Sequence, residues 1–256
     1  MSPRFLLPLL LLIPTTCNSH DVVYGGIPVP DSDPIALQDN DTLEAGSPTA
    51  RIIQLFNGKD LSGWDFDLTD ENAGIADVWS VQDGILVCKG QPSGYIRTQQ
   101  SYGDYELTVV YRWAPGTSGG NSGVLLHAST PRELGIWPKC LESQLQAGSA
   151  GDFWQLGETI TVSDAKTRTK GRRIIRHAND VENPLGEWNT KVVRCEGASV
   201  SITINGTPTN SGTACTTQSG TICFQSEGAE IHFRNIRILE LPPGVTTEEQ
   251  TAPVIK

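Results

Sequence analysis

The sequence predicts an all-β domain built as a two-sheet antiparallel sandwich or jelly roll. Three observations carry that expectation. Ten short β-rich or alternating runs recur between residues 52 and 239. Turn residues separate nearly all of them, and Asp83-Gly84 and Asn205-Gly206 are hairpin signals because glycine supplies the positive φ of a two-residue turn. No convincing amphipathic helix period occurs anywhere. Many strands in one domain, with no helices between them, favour a sandwich over an α/β fold.

Taken in chain order, the first feature is a leucine-rich run from Phe5 to Ile13 behind Arg4. It is too short for a membrane span and has the length of a signal-peptide core. The small residues Cys17 and Ser19 suit cleavage after Ser19, giving an exported protein with a 1–19 leader; Cys17 could instead be a lipidated first residue. His20 to Ala50 holds six acidic residues, four prolines and no lysine or arginine, the composition of an acidic, solvated linker. Arg51 to Leu241 then has the length of one substantial domain, and residues 242–256 read as a disordered tail.

Within the domain the strand runs are Ile52 to Phe56, Trp79 to Val87, Tyr95 to Thr98, Tyr105 to Trp113 and Gly123 to His127. They continue with Leu141 to Gln146, Trp188 to Cys195, Val200 to Ile204, Thr221 to Gln225 and Ile231 to Leu239. Alternation assigns faces. In Tyr105 to Trp113 the core side is Leu107, Val109, Tyr111 and Trp113, leaving Glu106 and Arg112 on groove parity. Asn121, Gly123, Leu125 and His127 share one face, so His127 is expected to point away from the core. Tyr95 and Arg97 are expected outward. Trp64, Trp79, Trp113 and Trp188 suit core or rim packing.

The formal charge of −10 and the acidic linker argue against nucleic acid or an anionic membrane surface as partner, since both need clustered lysine and arginine, and a neutral substrate fits better. The domain keeps Cys88, Cys140, Cys195, Cys215 and Cys223, an odd set that allows at most two bridges and one free thiol in an oxidising compartment. None of their spacings resembles a zinc site.

The segment Leu141-Glu142-Ser143-Gln144-Leu145-Gln146 puts Glu142, Gln144 and Gln146 on one strand face and the leucines on the other. A carboxylate between two amides, rich in acceptors and able to hold several hydroxyls, points to a sugar-binding surface. Its candidate companions are His127 as a base near neutral pKa, Arg97 as an oxyanion or hydroxyl clamp, and Asn121, Gln144 and Gln146 as hydroxyl readers. After a glycine-rich loop, Asp152 could add a second carboxylate and Trp154 could stack on a ring; an Asx-turn and a core tryptophan explain the same two residues equally well. Glu142, His127 and Asp152 could also converge as hard ligands for a divalent metal, although no sequential ligand motif supports one. A direct two-carboxylate glycosidase would pair Glu142 with Asp152 or Glu227.

Several ordered blocks carry a family resemblance. They are Leu55-Phe56-Asn57-Gly58-Lys59-Asp60-Leu61-Ser62-Gly63-Trp64, Gly94-Tyr95-Ile96-Arg97-Thr98, Tyr102-Gly103-Asp104-Tyr105-Glu106-Leu107, Asn121-Ser122-Gly123-Val124, Gly186-Glu187-Trp188-Asn189 and Phe233-Arg234-Asn235-Ile236. Together they closely resemble the 3-keto-disaccharide hydrolase domain family, once catalogued as a domain of unknown function. The resemblance implies a concanavalin-like jelly roll in an exported bacterial protein, with a carbohydrate substrate already oxidised at C3 of the sugar. On that expectation a base takes the C2 proton, the C1 oxygen leaves by β-elimination, and water adds back. Glu142 and His127 compete for the proton-transfer role. A non-catalytic, lectin-like module sharing the same groove is the alternative.

Overall fold

The computed structural model describes residues 51–241. The leader with Cys17, the 20–50 linker and the 242–256 tail lie outside the described residues. Strands are β1 (Arg51–Gln54), β2 (Trp64–Leu68), β3 (Trp79–Gln82), β4 (Ile85–Cys88), β5 (Gly94–Thr98), β6 (Tyr105–Trp113), β7 (Gly123–Ala128) and β8 (Cys140–Gln144). They continue as β9 (Phe153–Leu156), β10 (Thr169–Lys170), β11 (Arg173–Ile174), β12 (Asn189–Glu196), β13 (Ser199–Ile204), β14 (Thr207–Gly212), β15 (Thr221–Ser226) and β16 (Ile231–Glu240). Two single-turn helices, α1 (Ile75–Val78) and α2 (Ala165–Arg168), occupy connections.

The strands form two antiparallel sheets. One runs β14-β13-β12-β6-β16-β4-β3 with β1 also on β16, and the other runs β10-β11-β9-β8-β7-β15-β5-β2. The core lies between them, because each strand directs every second residue inward. In β6 the residues Leu107, Val109 and Tyr111 are fully buried, as alternation predicts. Phe224 of the second sheet meets Phe233 of the first edge-on at 5.1 Å, and Phe233 stacks on Trp79 at 6.2 Å, tying the layers at the centre. Trp64, Trp79 and Trp113 are buried in this core.

Two differences from the sequence expectation follow from pairing, and one expected turn is found. Glu106 and Arg112 are not groove residues, because β6 belongs to the first sheet and their side faces away from the second. There Glu106 meets Arg194 at 3.4 Å, and the Arg112 guanidinium lies over Trp188 at 4.4 Å. The run from Trp79 to Val87 divides into β3 and β4 at the expected hairpin, where Asp83 (φ 49°) and Gly84 (φ 74°) turn the chain back. β14, Thr-Pro-Thr-Asn-Ser-Gly, has the composition of a loop and is a strand only because the Asn205-Gly206 turn folds it onto β13 at the sheet edge.

All five cysteines in the described residues are free and buried, so neither of the two bridges that their number allows is formed. Burial pushes the thiols of Cys88, Cys215 and Cys223 up to about 12, and Cys140 and Cys195 well above their ordinary value. They pack as small hydrophobes rather than as reactive groups.

Candidate active site

The outer face of the second sheet carries a register row from Trp154 (β9) through Glu142 (β8), Leu125 (β7) and Cys223 (β15) to Arg97 (β5) and Asp65 (β2). The next row places Gln144 opposite Gly123, and Gln225 opposite Tyr95. Beyond that, Asn121 bridges Glu227. Alternation therefore sets Glu142, Gln225, Asn121 and Glu227 on one surface, drawn from three neighbouring strands and their extensions.

Gly123 makes their convergence feasible. A Cβ at this position would stand 2.5 Å from both Glu142 Oε1 and Gln225 Oε1, so the absent side chain leaves the space in which the two polar ends meet. Neither of those oxygens has a hydrogen-bond partner, and the same holds for the buried Asn121 Oδ1 and Trp154 Nε1. Buried polar atoms are nearly always paired, so four unpaired ones grouped on one face mark a place prepared for polar groups of a ligand.

Burial dominates the electrostatics. It raises the Glu142 carboxyl to about 8, helped by the neighbouring Glu227 and opposed by Lys191, Arg172 and Gln225. Glu142 therefore holds a proton at neutral pH, while a hydrogen bond from the Gln225 amide favours its carboxylate form. Burial also raises Glu227 above its ordinary value, and a hydrogen bond from Asn121 works against this by favouring the carboxylate. Two carboxyls on one face, one accepting a hydrogen bond from Asn121 and the other held protonated by burial, can divide acid from base duties.

Part of the outer face beside the site is apolar and roofed. Tyr95, Leu125, Cys140, Leu156 and Cys223 form a second cluster on which Leu134, Trp137 and Trp154 pack. The connection from β7 to β8 thus folds back over its own sheet, and Arg132 fastens it to Asp67 at 2.8 Å. Gln146, Arg172 and Gly228 are exposed.

Several of the residues expected at the site are placed elsewhere. His127 is the main correction. Leu125 pairs with Cys223 and Ala128 with Thr221, so Leu126 and His127 together face the single residue Ile222 across a bulge, with His127 at φ 51°. The bulge reverses the parity of His127 and turns its ring into the interior, 5.3 Å from the ring of Tyr105 on the opposite sheet. Burial lowers its pKa to about 3, with Glu158 acting in the opposite sense, so it is a neutral core histidine and not a base at the groove. Replacing His127 with Ala is expected to cost roughly 2–4 kcal/mol in stability through the cavity it leaves. Folded His127→Ala protein should keep its turnover; a loss of activity exceeding tenfold with the melting curve unchanged would restore His127 to the site.

Asp152 is also committed. Fully buried, it accepts hydrogen bonds from Arg173 Nε and from the Arg176 backbone N–H at 2.8 Å, which fixes the 172–176 segment. The metal set of Glu142, His127 and Asp152 does not assemble, and no group of three or more His, Cys, Asp or Glu side chains among the described residues is arranged to hold a metal ion. Gln144 is partly spent: its Oε1 accepts the backbone N–H groups of Leu145 and Gln146, both at 2.8 Å, closing the strand. β8 ends there, so Gln146 sits exposed in the following turn rather than in the polar row. Arg97 is on the expected face but three strands, about 14 Å, from Glu142, and it pairs with Asp65 at 3.6 Å.

Of the two carboxyl partners that the sequence offers Glu142, the structure brings up Glu227, and Gln225 is a site residue that sequence reasoning missed. Gln225 closes the β15 run, whose alternation with Cys223 already put it on the outer face, but only the antiparallel pairing of β15 with β7 brings it beside Gly123.

Two proteins of Parabacteroides distasonis ATCC 8503, described as candidate glycosyl hydrolases, share this fold. One matches with a TM-score of 0.55 at 23% identity over 75% of this chain and 94% of its own. The other matches with a TM-score of 0.54 at 20% identity over 75% of this chain and 100% of its own. A Bacillus licheniformis β-glucanase superposes with a TM-score of 0.50 at 14% identity, covering 77% of this chain and 100% of its own. At these identities the likeness establishes the jelly-roll sandwich alone. A comparison with curated proteins finds no match. The family model of the 3-keto-alpha-glucoside-1,2-lyase-like domain matches residues 51–239, nearly the whole described sandwich, and the chain, a carbohydrate-active jelly-roll protein, belongs to that family.

Proposed function

We propose that this protein cleaves glycosides already oxidised to a ketone at C3, using Glu142 as acid and Glu227 as base. The observation that carries the reading is the pair of carboxyls on one face, Glu142 retaining its proton near neutrality and Glu227 bridged by Asn121, whose hydrogen bond partly offsets the burial that raises it. A C3 ketone acidifies the C2 hydrogen. Glu227 takes that proton, the electron pair passes into the enediolate, and the C1–O bond breaks as C1=C2 forms. Glu142 gives its proton to the departing oxygen. Water then adds across C1=C2, hydroxyl to C1 and hydrogen to C2, completing hydrolysis. Asn121, Gln225 and Trp154, each with an unpaired buried polar atom, are suited to hold hydroxyls of the sugar.

This division of roles sets a bell-shaped pH dependence of kcat/KM. The basic limb should fall near 8 as Glu142 loses its proton, and the acidic limb should lie above the ordinary glutamate value of 4.5 as Glu227 gains one. The defining experiment supplies a 3-keto-disaccharide in deuterated water. Product release with deuterium at C2 is the expected result. Tight binding of intact oligosaccharides with neither product nor exchange would make the protein a non-catalytic binding module. We also propose export, which the apolar Phe5 to Ile13 run supports; a reporter fused after residue 50 and remaining cytoplasmic would refute it.

A further inference from the structure

Lys191 stands where an aliphatic residue belongs. It lies in the middle of β12 on the inward face, paired in register with Val109 and Ile204, and it is fully buried. A buried ammonium is costly unless its three donors are satisfied. Here all three reach across the interior to the back of one strand of the other sheet: Ser143 O at 3.0 Å, Ser143 Oγ at 2.7 Å and Gln144 O at 2.8 Å. No carboxylate forms an ion pair with it among the described residues, so a cation is held in the core by neutral acceptors only. Glu142 is the residue immediately before those acceptors, and its side chain leaves the opposite face of the same strand.

We propose that Lys191 is a positioning residue for Glu142, fixing the β8 backbone from behind and placing its amino group beneath the carboxyl. The proposal rests on Glu142 being the proton donor of the site. A clamp that only joined the sheets would need no charge, because a hydrocarbon at this position would pack between Val109 and Ile204 without desolvating an ion. A cation there moderates the burial that otherwise drives Glu142 toward permanent protonation, so that it can both give up and recover a proton in each turnover. The charged groups that act on Lys191 are Glu142, Glu182 and Asp152; those acting on Glu142 are Glu227, Arg172 and Lys191. Burial brings Lys191 down to about 7 and Glu142 up to about 8, so their titrations overlap and belong to the pair.

The test is a carboxyl titration on the full chain without substrate. Infrared difference spectra against Glu142→Gln isolate the Glu142 band, which is followed with pH in wild type, Lys191→Met and Ser143→Ala. Lys191→Met should move the Glu142 midpoint upward by about one pH unit or more. Ser143→Ala, which removes one acceptor and leaves the fold intact, should move it the same way by less and carries the test if Lys191→Met does not fold. The basic limb of kcat/KM should follow the spectroscopic midpoint. Unmoved midpoints with lowered melting temperatures would reduce Lys191 to a tie between sheets and overturn the proposal. Moved midpoints in a protein that turns over no 3-keto-glycoside would leave the positioning role standing and defeat the proposed reaction instead.

Discussion

Glu142→Gln is expected to reduce kcat/KM on a 3-keto-glycoside by roughly 10²- to 10⁴-fold, the usual worth of a well-placed proton donor. The same substitution should stabilise the fold at slightly alkaline pH, and that double signature separates a catalytic carboxyl from a structural one. Glutamine reproduces the shape and neutrality of the protonated side chain but cannot release the proton. The stability effect follows from linkage. The folded-state pKa of Glu142 is raised to about 8 from an ordinary 4.5, so the folded protein binds the extra proton between those values. Its favourable contribution is complete below 4.5 and is lost as pH rises through 8. Wild type should therefore weaken across that window while Glu142→Gln does not, the gap reaching roughly 3–5 kcal/mol at the alkaline end. Melting temperatures measured from pH 4 to about 9 check this. Parallel curves for the two proteins would mean that Glu142 ionises like a solvated glutamate and would remove the basis for its acid role.

Gly123→Ala is expected to disable the site with little damage to the sandwich. The new methyl would lie 2.5 Å from Glu142 Oε1 and Gln225 Oε1, closer than non-bonded atoms approach. Both are ends of flexible side chains, so they can swing away without disturbing the backbone of β7. The cost is therefore borne by geometry at the site, and a displacement of about 1 Å at a reacting group lowers turnover by about 10²-fold. Melting should shift by no more than a few degrees. A Gly123→Ala protein with wild-type kcat/KM would show that Glu142 and Gln225 do not meet over this position when substrate is bound. By contrast, Gly94→Ala would drive a Cβ into the Asp67 carbonyl oxygen and set it 2.8 Å from Leu68 Cα, which are backbone atoms, and should fail to fold.

The outward side of β8 was legible because Cys140, Glu142 and Gln144 alternate with Leu141 and Ser143 in a strand whose leucine enters the core. Gln146 was misplaced because a period says where a face lies and not where a strand stops; Gln144 stops it by capping the next two backbone N–H groups. The inner face of β6 was readable for the same reason as β8, but its outer face was assigned to the wrong side of the molecule. Alternation is blind to which sheet a strand joins.

Read by itself, the chain determined an all-β sandwich, its turn positions, most core residues and Glu142 as the residue around which a polar face is built. These depend on local periodicity and on glycine's conformational freedom, both written in consecutive residues. Tertiary structure alone decided that His127 turns inward, that Gln225 and Glu227 join Glu142, and that Lys191 reaches through the core to the back of its strand. A one-residue bulge in β7 settles the first, antiparallel pairing of β15 with β7 the second, and the meeting of two sheets the third. Each depends on which distant segment lies opposite, and burial in that company gives Glu142 a proton affinity that its sequence neighbours could not set.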